Sequence, residues 1–172
     1  ATDTGIGIYG QRYNASGVAQ GAQFHVNTYT ADNQRNPTVA MDANGNFVVV
    51  WESNSQDGSR YGIYAQRYNS SGVAQGSEFR VNTTTTYDQL EAAVAMDASG
   101  NFVIAWHSWS QDAVNTDGIY AQRYNSSGVA QGSEFLVNTY TTESQTEPSV
   151  AMDAAGNFVI AWQSFGQDGD NE

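Results

Sequence analysis

One stretch is written twice, letter for letter. GIYAQRYNSSGVAQGSEF runs from Gly62 to Phe79 and again from Gly118 to Phe135, and a near copy, GIYGQRYNASGVAQGAQF, begins at Gly7. Internal repetition restricts a fold more than composition does, because each unit must bury its faces against the next one. The Gly-Ile-Tyr triplets start at 7, 62 and 118, steps of 55 and 56. Val39-Ala-Met-Asp42, Val94-Ala-Met-Asp97 and Val150-Ala-Met-Asp153 keep that step, as do Trp51, Trp106 and Trp162. The chain is three copies of one unit with little else.

Within a unit every local signal is β. Pro37 to Asp42 reads as a short apolar first strand, and Asn44-Gly45 as a two-residue hairpin in which both positions tolerate positive φ. Phe47-Val-Val-Val-Trp51 is an unbroken apolar run, which suits a second strand covered on both faces. Gly62 to Tyr68 alternates, with Ile63, Ala65 and Arg67 on one side and Tyr64, Gln66 and Tyr68 on the other. After the turn Asn69–Gly72, Glu78 to Asn82 alternates again with Phe79 and Val81 inward. No helical period lasts three turns.

Four short strands in about 55 residues, repeated, match one blade of a β-propeller. The fold expected is all-β, with four-stranded antiparallel propeller-like blades and three blade-equivalents. The phase is offset. Residues 1–36 hold strands three and four of a split blade, 37–90 and 91–147 are complete blades, and 148–172 hold strands one and two of another split blade. The half-blades then call for completion by another chain or by adjacent repeats, since unpaired strand edges are adhesive. A chain opening on Ala-Thr-Asp reads as a processed product or a piece of something longer.

The charge balance excludes some partners. Six basic residues, all Arg, stand against 18 acidic ones for a net charge of −12. That disfavours nucleic acid, whose phosphates need cations to displace their counterions. No apolar run approaches the roughly 20 residues of a membrane span, so no membrane insertion is expected. With no cysteine there are no disulfides, thiolate metal sites or thiol catalysis.

The phrase from Asn36 through Thr83 resembles tandem repeats of very large secreted bacterial proteins, including calcium-dependent repeat exoproteins and adhesin-like surface proteins. Asn36-Pro37, Phe47 to Trp51, Ser55-Gln-Asp-Gly58, Gly62 to Arg67 and Phe79 to Thr83 carry the likeness. It implies a secreted or cell-surface setting of bacterial type, an adhesive or structural role, and no reaction. Repeats two and three lack the Asn-Pro pair, repeat three having Glu147-Pro148, and the glycine-rich calcium nonapeptides are missing.

Individual residues offer weaker signals. Ser55-x-Asp57-Gly58, like Asp112 and Asp168 in the other copies, resembles a truncated Asp-box; it reads as a turn, with calcium or ligand contact as the alternative. Asp42-x-Asn44-x-Asn46 has the oxygen spacing of a calcium loop, but Ser99 and Ala155 replace Asn44. Trp51, Trp106 and Trp162 read as core, and Trp109 as an exposed platform for a glycan. Arg12, Arg67 and Arg123 are expected to pair with an Asp of the adjacent blade, or to meet an anionic or sugar ligand. His25 and His107 change between copies, as solvent-facing residues do. Identical blades spread the same groups around a ring, whereas catalysis converges different ones on a point, so no enzyme is expected. The leading reading is a structural or adhesive module assembling through its half-blades with copies of itself or neighbouring repeats. The alternative is a multivalent lectin for glycans.

Overall fold

The computed structural model describes residues 3–169. Among them there is no helix, and twelve strands form four antiparallel sheets. β1 (Tyr9–Gly10) pairs with β2 (Phe24–His25). β3 (Gln34–Met41), β4 (Phe47–Asn54), β5 (Tyr61–Tyr68) and β6 (Phe79–Arg80) form the first complete blade in simple meander order. β7 (Gln89–Met96), β8 (Phe102–Trp109), β9 (Asp117–Tyr124) and β10 (Phe135–Leu136) form the second. β11 (Gln145–Met152) and β12 (Phe158–Ser164) make the final two-stranded sheet. The protein is all-β with propeller-like blades, and half-blades flank two whole ones.

Seams between sheets hold the core. On one side of each blade lies an aromatic face, and on the other an aliphatic one. Phe47, Val49, Trp51, Tyr64 and Tyr68 pack against Ile8 and Val26 of the half-blade before them. On the opposite face of the same strands, Val48, Val50, Ile63, Ala65 and Val81 meet Phe102, Ile104, Trp106, Tyr120 and Tyr124 of the next blade. β4 and β8 are therefore buried on both faces, whereas β12, nearly the same sequence, alternates between half-buried and exposed because one face is bare. Within each aromatic face cross-strand rings stack, Phe47 on Tyr68 at 4.9 Å and Phe102 on Tyr124 at 4.9 Å between centroids. Trp51 and Trp106 are wholly enclosed.

Local details differ from the pattern read in the sequence. The first strands begin at Gln34, Gln89 and Gln145, a few residues ahead of the unit boundaries, because those glutamines are buried and bonded. The first hairpin is not a two-residue turn. Met41 pairs with Phe47, the Asp42 N–H donates to the Asn46 carbonyl at 2.8 Å, and Gly45 alone has positive φ. A type I turn followed by a left-handed glycine explains this loop. Position 44 needs no special conformation, and Asn44, Ser99 and Ala155 all serve there.

Candidate functional site

Three kinds of polar contact fasten one blade to the next, and the first two grow from the repeated sequence. The first lies inside each seam. Asn27, Asn82 and Asn138 follow the fourth strand, and each Oδ1 accepts the N–H of Ile8, Ile63 or Ile119 at 2.7–2.8 Å. The amide of Asn27 donates to Gln34 Oε1 at 3.2 Å and that of Asn82 to Gln89 Oε1 at 3.0 Å, so a buried Asn–Gln pair ties the end of one blade to the start of the next. Buried amides must be satisfied. Sequence reasoning missed this latch, although its signal was there: an Asn followed seven residues later by a Gln in all three copies.

The second contact clasps the seam from its rim. Arg12 Nη1 donates to the Ser70 carbonyl of the following blade at 2.7 Å, and Arg67 reaches the Ser127 carbonyl in the same way. The arginines do face the adjacent blade, as the sequence suggested, but they bind a backbone carbonyl and not an Asp. Asp42, Asp97 and Asp153 are engaged elsewhere, each carboxylate closing its own hairpin with three accepted hydrogen bonds. At Asp42 burial works against the charged form, yet the Asn46 side chain and three backbone N–H groups hold the carboxyl below its usual range. Each guanidinium lies over a glycine. A Cβ on Gly72 would come within 2.7 Å of Arg12, and one on Gly128 within 2.8 Å of Arg67. Among the described residues Arg123 bonds within its own blade, at the Gln131 carbonyl. Glu78 and Glu134 complete the clasp: each accepts a backbone N–H from the blade before (Thr28 at 2.6 Å, Thr83 at 2.7 Å) and an amide N–H from Gln56 or Gln111.

Beside these clasps runs a groove that recurs with the blades. Between the two complete blades it encloses about 290 Å³ and is lined by Asn46, Arg67, Tyr68, Gln75, Met96 and Phe102, among others. The next, of about 450 Å³, has Asn101, Arg123, Tyr124, Gln131, Met152 and Phe158 in the same places.

At the other end of the sheets, where first strands begin and second strands end, the copies differ and unlike groups meet. Each first strand bulges after its second residue, placing Asn36, Glu91 and Glu147 at φ 51–55°. The N–H groups exposed there are taken by carboxylates of the preceding blade: Glu91 N–H by Glu52 at 2.8 Å, Glu147 N–H by Glu91 at 2.9 Å. Glu52 is fully buried and also accepts from Arg35 Nε at 2.8 Å and Asn36 Nδ2 at 3.0 Å. Arg35 in turn lies over the Tyr61 ring at 3.9 Å. His107, expected to face solvent, is buried. Its Nδ1 lies 3.1 Å from Glu91 and its Nε2 3.7 Å from Asp117, whose carboxyl burial pushes up and the imidazole pulls back down.

The loop aspartates take different positions. Asp57 covers Gly62, accepts the Ser59 N–H at 3.1 Å and keeps Oδ2 buried without a partner; Asp112 covers Gly118 with both oxygens buried and unpartnered. Asp3 covers Gly7 in the same manner, bound to Asn27, His25 and Tyr9. Asp168 is exposed. Among the described residues no three carboxylate or histidine side chains converge as metal ligands. Trp109 is half-exposed at the end of β8.

No family model and no curated protein matches this sequence. The solved structure of an endo-arabinase from Bacteroides thetaiotaomicron is similar over 76% of this chain, at 14% identity and a TM-score of 0.48. The chain spans about half of that structure's length, the shared part being 51%.

Proposed function

We propose that this chain is an extracellular structural or adhesive module of secreted bacterial type, which works by completing its two half-blades with matching strands of another copy or an adjacent repeat. One observation carries this reading. β1–β2 are the third and fourth strands of a blade and β11–β12 the first and second, so one end supplies what the other lacks. A sheet edge with free N–H and C=O groups gains a full ladder by pairing, and side-chain pockets set its register. The reading assigns no reaction and needs no metal. Its test is the mass of the folded protein in solution. Multiples of 18.6 kDa are expected at micromolar concentration, and a species of 18.6 kDa alone would overturn the reading.

A multivalent glycan-binding lectin is the second reading, favoured by the recurring groove with its guanidinium, amides and tyrosine beside an apolar floor. A glycan array probed with and without calcium separates the two. Retention on one sugar class, weakened by Arg67→Ala, supports the lectin, and no retention leaves the structural role standing.

A further inference from the structure

The described residues leave one apolar groove and one apolar face uncovered, and the interior seams reveal what fits them. The groove, about 450 Å³, opens beside the N-terminal half-blade and is lined by Ile8, Phe24, Val26, Val39, Met41 and Phe47. Val39 and Met41 are 61% and 59% exposed. Their counterparts Val94 and Met96 pack against a core containing Val48 and Val50 from the second strand of the blade before. Among the described residues the N-terminal half-blade holds only its third and fourth strands, with no second strand to cover them. The uncovered face belongs to β12: Val159 is 65% exposed, whereas its counterparts Val48 and Val103 are fully buried.

The clasps repeat this mismatch. Arg12 and Arg67 lie over Gly72 and Gly128, but Gly17, the same turn in the first copy, has open space above it. Arg123, the third clasping arginine, is followed among the described residues by the half-blade β11–β12, which offers no third-to-fourth-strand turn for it to clasp. The ends therefore lack each other's contents at the groove, the strand edge and the clasp.

The geometry points to a second copy of this chain as the occupant, its β11–β12 pair entering the groove as the first two strands of a hybrid blade. This rests on the assembly reading above and makes it specific. Within complete blades Phe47 pairs with Tyr68 and Phe102 with Tyr124, so Phe158 of one copy pairs with Tyr13 of the other, and Val159 with Arg12. Val159 then covers the groove as Val48 and Val103 cover theirs. Arg123 of the incoming copy reaches the turn carbonyls at Ala15 and Ser16, over Gly17.

The partnership closes as a pair. Neighbouring blades meet through their first strands, β3 against β7 and β7 against β11, with no comparable approach of their fourth strands, so the stack is wedge-shaped and curves. Rings of this architecture hold about four to eight blades. Two chains supply four whole sheets and the halves of two more, making about six blades; one chain falls short of that range and three exceed it.

A register-specific disulfide tests this, since the native chain has no cysteine. R12C/V159C under mild oxidation is expected to give a covalent two-chain species and nothing larger, while V159C alone stays unlinked. A ladder of larger linked species would overturn the closed pair yet leave half-blade assembly standing. An unlinked double variant whose native mass is that of one chain would overturn both. V159E alters an exposed position within one chain, so folding is retained, and its pair dissociation constant is expected to rise at least ~100-fold, about the factor for losing one buried aliphatic anchor and burying a charge. An unchanged constant would overturn the hybrid blade.

Discussion

The two ends of the blades follow different rules. At the hairpin end the copies are nearly identical and so are their bonds: Asp42, Asp97 and Asp153 each gather the same backbone and Asn donors, while Asn14, Asn69 and Asn125 each accept two N–H groups within their turns. At the opposite end Glu52, His107 and Gln163 occupy one position, and Arg35, Leu90 and Thr146 another. A turn has one geometry, and few side chains close it. A bulged N–H needs only some acceptor within reach, and the acceptor comes from β4 in one seam and from β7 in the next. Repetition persists where backbone shape is demanding and relaxes where a single bond suffices.

Substitutions can break that contrast. The largest effect is expected from Glu52→Ala at the varied end. It removes a fully buried carboxylate and with it the shared acceptor of Arg35 Nε, Asn36 Nδ2 and the Glu91 N–H, at a cost of about 2–4 kcal/mol in urea denaturation. A loss below ~1 kcal/mol would mean that this end holds no seam together. Next comes Asp42→Asn at the hairpin end, expected to cost about 1–2 kcal/mol near neutral pH. Its carboxyl is lowered in the fold from an ordinary 3.8, so its stabilisation is complete above that pH and is lost as pH falls through the lowered value. Wild type and variant should thus converge in stability in acid; a gap constant with pH would show that the charge contributes nothing. The smallest effect is expected from His107→Gln, which copies Gln163 and should shift stability by less than ~1 kcal/mol, read from the same curves.

Much of the fold was legible because a period of 55 residues, two β alternations and one double-faced run admit few packings. The Gly-Ile-Tyr and Val-Ala-Met-Asp landmarks set the period, and the alternations and turn signals between them set the strand order. Strand lengths did not follow, because they depend on neighbours: GIYAQRY is part of an eight-residue strand in β5, flanked on both sides, while GIYGQRY yields two residues in β1. The site was harder to read. Variation at His107 resembled solvent exposure, but its partner Glu91 lies sixteen residues earlier on the adjacent strand, a proximity that only the β7–β8 register creates. The arginine partners were misjudged because a carbonyl leaves no mark in a sequence.

Near-identical seams also carry a liability. An aliphatic face that fits one aromatic face fits them all, so a folding chain holds interchangeable parts without addresses, and a blade can dock beside the wrong sibling. Of the bonds that cross a seam, those where first strands begin differ from copy to copy, with Glu52 reaching forward in one and Glu91 in the next. Those few unlike residues can act as labels that let a uniform polymer of blades count itself into order.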